Sequence, residues 1–253
     1  MLELRALQLQ RPSGFRLELS AWATVPGEVR AVLGTNGAGK STLLRLLCGE
    51  EKPDSGEVIL HGTPLSRWPA PKRARHLGVL PQSSSLDFSF TAEEVVTLGL
   101  TPLTLGWREA RRTVRAVMRA TDCAHLAENP FPRLSGGEKQ RVQLARVLVQ
   151  LSQAEQAPVL LLDEPTSAQD LGQQHRLLEL AVQLAREQGY CIAAILHDLN
   201  HALRYADRCL LLDGGRSVGE GPPCQLVTTD RIERYWGYRA QIISDGQGRL
   251  LVA

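Results

Sequence analysis

The stretch "GTNGAGKST", residues 34–42, decides how this chain folds and raises the first question about its chemistry. It follows the apolar run "EVRAVLG" at 28–34 and opens "KSTLLRLLCG" at 40–49, so its context is strand, loop, helix. Glycines let backbone N–H groups approach phosphate oxygens, and the helix N-terminus adds partial positive charge. Lys40 can reach the β- and γ-phosphates of a nucleotide, and Ser41 can hold Mg²⁺. A glycine-rich turn before an unrelated helix is the alternative, which the Lys-Ser-Thr sequence disfavours. The candidate nucleotide-binding residues here are Gly34, Thr35, Asn36, Gly37, Ala38, Gly39, Lys40, Ser41 and Thr42.

A pair of carboxylates ends a second apolar run, "PVLLLDEP" at 158–165. A buried strand that ends in Asp163 beside a phosphate loop places a carboxylate near Mg²⁺, directly or through water. Glu164 points elsewhere and can polarise the attacking water, as a general base does. Alone, this run is an ordinary strand end. Together with Lys40 upstream, it indicates a nucleoside triphosphatase.

Composition limits the class of protein. The chain has 253 residues, 43% of them hydrophobic and 22% charged, which is typical of a globular domain with a large core. Its net charge of +2 is too small to indicate nucleic-acid binding. The longest apolar runs have the length of core strands, far below the roughly 20 residues that a membrane span needs. The five cysteines form no Cys-x-x-Cys pair, and we expect reduced, mostly buried thiols in a cytosolic protein.

The hydrophobic pattern predicts an α/β protein with a helical insertion. Alternating strands and tight turns fill the first third of the chain. The middle, roughly 86–155, carries helix signals only, beginning with the capping box Thr91-Ala-Glu-Glu94. From Pro158 the α/β alternation resumes, and "SDGQGR" at 244–249 indicates a hairpin near the C-terminus.

The segment "LSGGEKQR", residues 134–141, supplies a second anion-binding helix start. One chain already surrounds its phosphates with residues 34–42, so a second phosphate site is redundant within a monomer. It becomes useful if Ser135, Gly136 and Gly137 bind the γ-phosphate held by another copy. The expected assembly is therefore a head-to-tail homodimer with ATP between the subunits.

The ordered set of motifs resembles the ATP-binding subunit of ABC transporters over essentially the whole chain. The set comprises "GTNGAGKST", "LPQ" ending at Gln82, "LSGGEKQR", "LLLDEPTSAQD" at 160–170 and "ILHD" at 195–198. By this resemblance, Gln82 contacts Mg²⁺ and the attacking water and senses the membrane partner. Asp170 would lie at the dimer seam near the other subunit's phosphate loop. His197 would hydrogen-bond the γ-phosphate and hold the water and Glu164 in place, whereas the sequence alone would make it an ordinary histidine at a strand end.

The resemblance also implies a fold, cofactors and partners. The fold would be a single P-loop NTPase domain, with a RecA-like core, a mixed sheet, an N-terminal antiparallel β subdomain and the inserted helical subdomain. The cofactors would be ATP and Mg²⁺, with Ser41, Gln82 and Asp163 at the metal. The partners would be a second copy, two membrane permease subunits and a periplasmic substrate-binding protein, and no nucleic acid. The chain would lie on the cytoplasmic face of the inner membrane, and the transported substrate would not bind it.

Two positions depart from the family pattern. Gln169 stands where the family usually has leucine in "SALD", so the packing at the dimer seam can differ. The family also stacks an aromatic ring on adenine near the end of the first strand. This chain offers Arg11 there, which could stack its guanidinium on the base, and Phe15 is the nearest aromatic residue.

Similarity also narrows the transported substrate. The chain looks most like the importer branch for iron complexes, haem and cobalamin. Segments 119–127, 139–151 and 195–208 are similar to haem import ATPases. Ferric siderophore and cobalamin are the alternatives within this branch. An exporter subunit remains possible from the motifs, and a soluble ABC ATPase acting on DNA or ribosomes is disfavoured by the single cassette.

Two further segments have both functional and structural interpretations. Residues 83–105 could meet a cytoplasmic helix of the permease, or Leu86, Phe88 and Phe90 could pack within the helical insertion. Five arginines at helical spacing could face lipid headgroups, acidic permease loops or only solvent. They are Arg108, Arg111, Arg112, Arg115 and Arg119. His125, His175 and His201 follow no ligand spacing, so we do not assign them to haem.

Overall fold

The computed structural model of the chain describes residues 1–82, 89–167, 169–246 and 248–253. Its strands are β1 (Leu2–Gln10), β2 (Arg16–Ala23), β3 (Val29–Leu33), β4 (Ser55–Leu60), β5 (Thr63–Pro64), β6 (Leu77–Leu80), β7 (Val159–Asp163), β8 (Cys191–Ile195), β9 (Arg208–Asp213), β10 (Arg216–Gly221), β11 (Ile242–Ser244) and β12 (Leu250–Val252). Its helices are α1 (Lys40–Cys48), α2 (Ala70–His76), α3 (Ala92–Thr97), α4 (Trp107–Ala120), α5 (Gly136–Leu151), α6 (Leu171–Gln188), α7 (Leu199–Tyr205), α8 (Pro223–Leu226) and α9 (Thr229–Trp236). Short 3-10 helices span Leu65–Arg67, Leu98–Leu100, Ala124–Leu126 and Phe131–Arg133.

Ten strands form one mixed sheet in the order β5-β4-β1-β2-β10-β9-β3-β8-β7-β6. Strands β9, β3, β8, β7 and β6 run parallel to one another, whereas β5, β4, β1 and β2 pair antiparallel in that order. β10 joins the two parts, since it is antiparallel to β9 and makes one parallel contact with β2. The predicted mixed sheet with an N-terminal antiparallel part is confirmed.

The parallel strands are apolar and buried because helices cover both faces of the sheet. Alternate residues of β3 point into different cores: Val29, Ala31 and Leu33 into one, Val32 into the other. Helices α5 and α6 contribute to the first core and α1 to the second. This layering fixes the carboxyl ends of β3, β6, β7 and β8, where the predicted site residues follow.

The helical insertion has an apolar core of its own. Val95 of α3, Val114 and Met118 of α4, and Val142 and Val149 of α5 belong to one buried cluster. The capping box at Thr91 is present, with its hydroxyl accepting from the Glu94 N–H. The extent of the insertion, about 86–155, stays a prediction whose first residues lie outside those described.

Phe90 packs within this insertion rather than at an outer surface. It is half-buried against the insertion's core, and its carbonyl accepts a hydrogen bond from the Phe131 N–H at 2.8 Å. For Phe90 the structural interpretation therefore holds. Leu86 and Phe88, which the sequence placed in the same segment, lie outside the described residues.

The C-terminal hairpin is present as predicted, with β11 and β12 antiparallel and Ile242 opposite Val252. It is anchored to α7, because the Asn200 side chain donates to the Val252 carbonyl at 3.1 Å and accepts from its N–H at 2.7 Å. This reciprocal pair fixes the hairpin against the parallel core.

Helix α2 is one element that the sequence did not predict. It begins after Pro69 and ends at buried His76, directly before β6. Four cysteines are buried and Cys224 is exposed, as expected for unpaired thiols. Among the described residues, no helix combines the length and the apolar character needed to cross a bilayer.

Candidate functional site

The phosphate loop connects β3 to α1 through glycines in conformations that other residues resist. Gly34 has a φ of +150° and Gly39 of +104°, both in the region that favours glycine. A Cβ at Gly34 would overlap the Leu212 carbonyl oxygen, which belongs to the backbone of β9 and cannot move aside. The loop can therefore curve this tightly only with glycine at its start.

The first turn of α1 is open to an anion. Its N-cap is Gly39, which has no side chain to accept a hydrogen bond from the first N–H groups. Such groups lack partners within a helix, and with the helix dipole they favour a negatively charged ligand. Asn36 and Gly37 are exposed at the mouth of the loop, whereas the Ala38 carbonyl anchors it by accepting from the Gly215 N–H at 3.0 Å.

Lys40 lies folded over the loop. Its side chain is buried, and Nζ donates to the carbonyl oxygens of Gly34 at 2.8 Å and Thr35 at 2.9 Å. Burial lowers the pKa of the Lys40 ammonium, while the carboxylates of Glu164 and Asp163 oppose that shift. A buried cation that carbonyls alone satisfy is well placed to receive phosphate oxygens.

An open cleft of about 550 Å³ surrounds the loop. The residues that line it include Lys40, Ser41 and Glu164, and also Arg11 and Phe15. The Arg11 guanidinium is engaged by Glu51, with Nη1 2.5 Å from the carboxylate oxygen. Phe15 is therefore the aromatic surface of the cleft, and Arg11 would have to share its guanidinium to stack on a base.

Two predicted site residues, Gln82 and His197, both contact the carboxylate of a third, Glu164. Gln82 donates from Nε2 to Oε2 at 2.5 Å, and His197 Nε2 contacts Oε1. These residues follow β6, β7 and β8, which are neighbours in the sheet, so their carboxyl ends lie at one edge. Glu164 itself has a φ of +47°, uncommon for a residue with a side chain.

Asp163 ends β7 with an unsatisfied carboxylate. Its Oδ1 is buried and has no hydrogen-bond partner among the described residues. Burial, then the charge of Glu164, raises the pKa of the Asp163 carboxyl. An orphaned carboxylate oxygen next to a phosphate cleft fits a hard divalent cation, and the Ser41 hydroxyl and Gln82 amide supply further oxygen atoms. The residues present therefore fit Mg²⁺.

The turn at 134–141 has a reciprocal hydrogen-bond arrangement at the start of α5. Ser135 Oγ accepts from the Glu138 N–H, and the Glu138 carboxylate accepts from the Ser135 N–H at 2.8 Å and its hydroxyl at 2.7 Å. Hydrogen bonds from Ser135 hold the pKa of the Glu138 carboxyl below its usual value. Ser135 and Gly136 are exposed and Gly137 is half-buried, so the turn is accessible to a ligand.

Asp170 and Gln169 mark the start of α6. Asp170 is exposed and caps the helix by accepting from the Gln173 N–H at 3.0 Å. Gln169, the departure from the family pattern, turns inward and donates to Oε1 of buried Gln140 at 3.0 Å. Gln169 therefore ties the loop after Glu164 to helix α5.

The structure brings together only part of the predicted site. Gathered around the loop are Lys40, Ser41, Gln82, Asp163, Glu164 and His197. The described residues that line the cleft do not include Ser135, Gly136, Gly137 or Asp170. Within one chain, the turn at 134–141 therefore does not line the cleft around the loop at 34–42.

The histidines that the sequence analysis set aside lie elsewhere. His175 Nδ1 is 2.6 Å from the Tyr205 hydroxyl, and the His175 ring meets buried His201 edge-on. No cluster of three His, Cys, Asp or Glu side chains in the described parts of the chain could hold a metal ion.

Three residues that organise the site went unnoticed in the sequence. Glu138 completes a capping box with the same Ser/Thr-x-x-Glu spacing as Thr91 to Glu94, so the pattern could have revealed it. Gln140 and Gln174 give no such signal. Gln174 donates to the carbonyls of Thr166 and Gln169, at 3.0 Å each, and holds the loop after Glu164.

Comparison with known proteins yields consistent relatives. Residues 18–167 match the family model described as ABC transporter. The hemin import ATP-binding protein of Shewanella denitrificans is 54% identical over 217 residues, 86% of this chain and 85% of that protein. The protein of that name from Vibrio cholerae is 55% identical over 85% of this chain and 83% of its own.

Solved structures agree with the sequence relatives. A metal-chelate-type ABC transporter in an inward-facing conformation superposes with a TM-score of 0.82 at 25% identity, covering 100% of this chain and 97% of that one. A dimeric bacterial ABC transporter cassette gives a TM-score of 0.78 at 25% identity, covering 88% and 99%.

Proposed function

This chain belongs to the ABC transporter family, and from that membership we propose that it hydrolyses ATP to energise haem import across a bacterial inner membrane. Relatives at 54% and 55% identity are named for hemin import, which favours haem over ferric siderophore or cobalamin. Those names equally disfavour an exporter subunit or an ATPase acting on nucleic acid.

The observation that carries the proposal is the convergence of Gln82 and His197 on Glu164. A carboxylate held on both oxygens by neighbouring strand ends is oriented before any nucleotide arrives. Such an oriented carboxylate can polarise a water molecule for attack on the γ-phosphate. His197 and Gln82 would then be positioning residues as well as candidates for direct contact with the phosphate and the water.

The remaining residues would bind and orient the nucleotide. Lys40 and the N–H groups of residues 34–42 would stabilise the negative charge on the phosphates. Ser41, Asp163 and Gln82 would hold Mg²⁺, which when bound supplies charge neutralisation at the β- and γ-phosphates. Phe15, with Arg11, forms the surface that would meet the adenine ring.

A second copy would complete each site. Ser135, Gly136, Gly137 and Asp170 lie away from the cleft of their own chain, and most of this surface is exposed. The γ-phosphate bound by one copy would therefore be reached by the turn of the other. The dimer would act beneath two permease subunits on the cytoplasmic face, with a periplasmic protein delivering haem.

Glu164→Gln tests the catalytic assignment. Loss of a general base lowers turnover by about 10²–10⁴-fold, while the neutral amide leaves ATP binding intact. We expect ATP to drive this variant into a dimer that persists, measured by steady-state hydrolysis and by light scattering with and without ATP. A variant that hydrolyses ATP normally, or stays monomeric with ATP, would contradict the assignment.

The substrate needs a separate test. Proteoliposomes that hold this chain with the permease that co-purifies with it should accumulate haem when ATP is supplied inside. Ferric siderophore and cobalamin, offered at equal concentration, serve as controls. Accumulation of either in place of haem would overturn the substrate while leaving the ATPase assignment intact.

A further inference from the structure

Helix α4 presents one strongly basic surface, which we call the arginine face. It consists of Arg108, Arg111, Arg112, Arg115 and Arg119, all of them exposed. The helix carries these five arginines and one glutamate, a net charge of +4, whereas the entire chain carries only +2. The rest of the chain therefore carries a net charge of −2, and this 14-residue helix makes the total positive.

The arginine face contributes nothing evident to the fold. Val114 and Met118, on another side of α4, are the residues buried in the insertion's core. Some arginines elsewhere are paired with carboxylates, as Arg30 is with Glu28 and Glu220, while others, such as Arg67, stand singly in the described parts of the chain. None of the five has an ion pair with a carboxylate among the described residues.

This concentration of like charge is unfavourable in isolation. Arg108 and Arg112, Arg111 and Arg115, and Arg115 and Arg119 are each four residues apart, a spacing at which like charges destabilise a helix. If this face contacted only solvent, one or two glutamates interspersed among the arginines would stabilise the helix. The arrangement is favourable, however, when an external anionic surface neutralises it.

Trp107 adds an amphipathic group at the start of the face. Its side chain is 70% exposed, the most of any large hydrophobic residue described. The Arg111 guanidinium lies over its ring, 4.9 Å from the centroid. Exposed tryptophan beside arginine is the combination found where proteins meet the headgroup layer of a membrane.

We propose that the arginine face and Trp107 dock on anionic phospholipid at the membrane surface. A helix of this length presents a straight row of about 20 Å, which matches a flat array of headgroups better than a single acidic side-chain pocket. The inference rests on the proposed function, since an importer subunit works at a membrane. Lipid contact would then supplement the attachment that the permease provides.

Vesicle binding of the full chain tests this inference. We expect binding to vesicles of phosphatidylcholine with a quarter phosphatidylglycerol, weakening as salt is added, and little binding to phosphatidylcholine alone. The triple variant Arg111→Gln, Arg112→Gln, Arg115→Gln should bind roughly 100-fold more weakly, at about fivefold for each charge. Trp107→Ala should also weaken binding.

Two control proteins make the result specific. Neutralising the exposed Arg67, Arg234 and Arg239 removes the same charge from other surfaces and should leave binding within a few-fold of the original. Replacing Arg111, Arg112 and Arg115 by lysine keeps the charge and should also retain binding. Equal binding to neutral vesicles, or equal losses in the triple variant and its charge-matched control, would overturn the inference.

ATP hydrolysis separates this inference from the proposed function. None of the arginine-face residues lines the phosphate cleft described above, so the triple glutamine variant should hydrolyse ATP at the original rate. If the triple glutamine variant hydrolyses ATP normally and binds vesicles as strongly as the original chain, only the lipid inference is wrong. If the unmodified chain does not hydrolyse ATP, the proposed function is wrong instead.

Discussion

Glu164 combines a functional position with an unfavourable backbone. A φ of +47° is rare outside glycine, asparagine and aspartate, and costs of the order of 1–3 kcal/mol. The structure maintains it because Gln82 and His197 hold the side chain, and because Ser167 donates from both its N–H and its hydroxyl to the Glu164 carbonyl, at 3.2 and 3.0 Å. The turn after β7 thereby aims the carboxylate into the cleft instead of along the strand.

Asp163→Asn should stabilise the free chain while it abolishes Mg²⁺-dependent hydrolysis. Because burial raises the pKa of the Asp163 carboxyl, its ionised form is disfavoured in the folded state. Native stability is therefore lost as pH rises through the folded pKa, and the neutral amide avoids this loss. Thermal unfolding without nucleotide or metal should show a higher midpoint for the variant at neutral pH, and the difference should shrink in acid. Asp213→Asn, at an exposed strand end, is the control, and an equal gain there would contradict this origin.

The side-chain amides of Gln169 and Gln140 bond to each other but, within the part of the chain that the structure describes, leave two buried polar atoms without a hydrogen bond. One hydrogen bond of 3.0 Å joins them, while Gln140 Nε2 and Gln169 Oε1 are buried without partners among the described residues. This bond is the one hydrogen bond that either side-chain amide makes in the described parts of the chain. The departure from leucine at this position thus comes with a specific contact on α5.

The double substitution of this pair should cost less than the single ones together. Gln169→Leu leaves the Gln140 amide buried with no partner, which costs about 1–3 kcal/mol in the free energy of unfolding. Changing both residues to leucine removes both polar groups, so much of that loss should be recovered. Urea unfolding of the two single variants and the double variant measures the coupling. Additive losses would mean that the hydrogen bond contributes nothing to stability.

The two capping boxes allow structural and functional roles of a helix start to be separated. Thr91→Ala and Ser135→Ala each remove an N-cap hydroxyl, so each should lower the free energy of unfolding by about 1 kcal/mol. Only Ser135 is proposed to reach a γ-phosphate, so only its loss should reduce ATP-dependent dimerisation and hydrolysis. Equal hydrolysis by the two variants would contradict the proposed role of the turn at 134–141.

Most elements could be predicted because local sequence and tertiary context agree. The apolar runs of β3, β7 and β8 are buried on both faces, and Gly49 and Gly189 end α1 and α6 in left-handed conformations that favour glycine. Helix α2 was not predicted because its sequence, "APKRARH", has neither a side-chain N-cap nor an apolar stripe. It is held by long-range contacts that no periodicity reveals: His76 is buried, and Gln150 of α5 donates to the Ala74 carbonyl at 2.7 Å.

The site was predictable where a motif is contiguous, and less so where it depends on distant residues. The loop at 34–42 carries its own glycines, lysine and serine, so its geometry follows from adjacent positions. The contacts of Glu164 with Gln82 and His197 join residues far apart in sequence, and only the order β6, β7, β8 in the sheet brings them together. The Gln140–Gln169 contact is of the same kind and left no sequence signal.

The whole molecule carries, on separate surfaces, the cleft and the turn that we propose to be two halves of one site. The cleft around Lys40 is open at about 550 Å³, and the turn at Ser135 is exposed elsewhere. An open cleft with its complementary turn on another surface suits a head-to-tail pair, in which each copy closes the other's site. Nucleotide binding and assembly would then be one event, which is how hydrolysis could move a permease attached to both copies.

Mixing two inactive variants tests whether each site draws on both copies. Lys40→Ala removes the phosphate lysine, and Ser135→Arg blocks the opposing turn, so neither variant should hydrolyse ATP alone. In a mixed dimer, one site would combine the intact loop of the Ser135→Arg chain with the intact turn of the Lys40→Ala chain. If the two sites hydrolyse independently, an equal mixture should recover roughly a quarter of the original activity, because half of the random dimers carry one intact site of two. Lys40→Ala mixed with a chain bearing both changes forms no intact site and should stay inactive. If the first mixture also stayed inactive despite forming mixed dimers, the separate surfaces would not be halves of one independently working site.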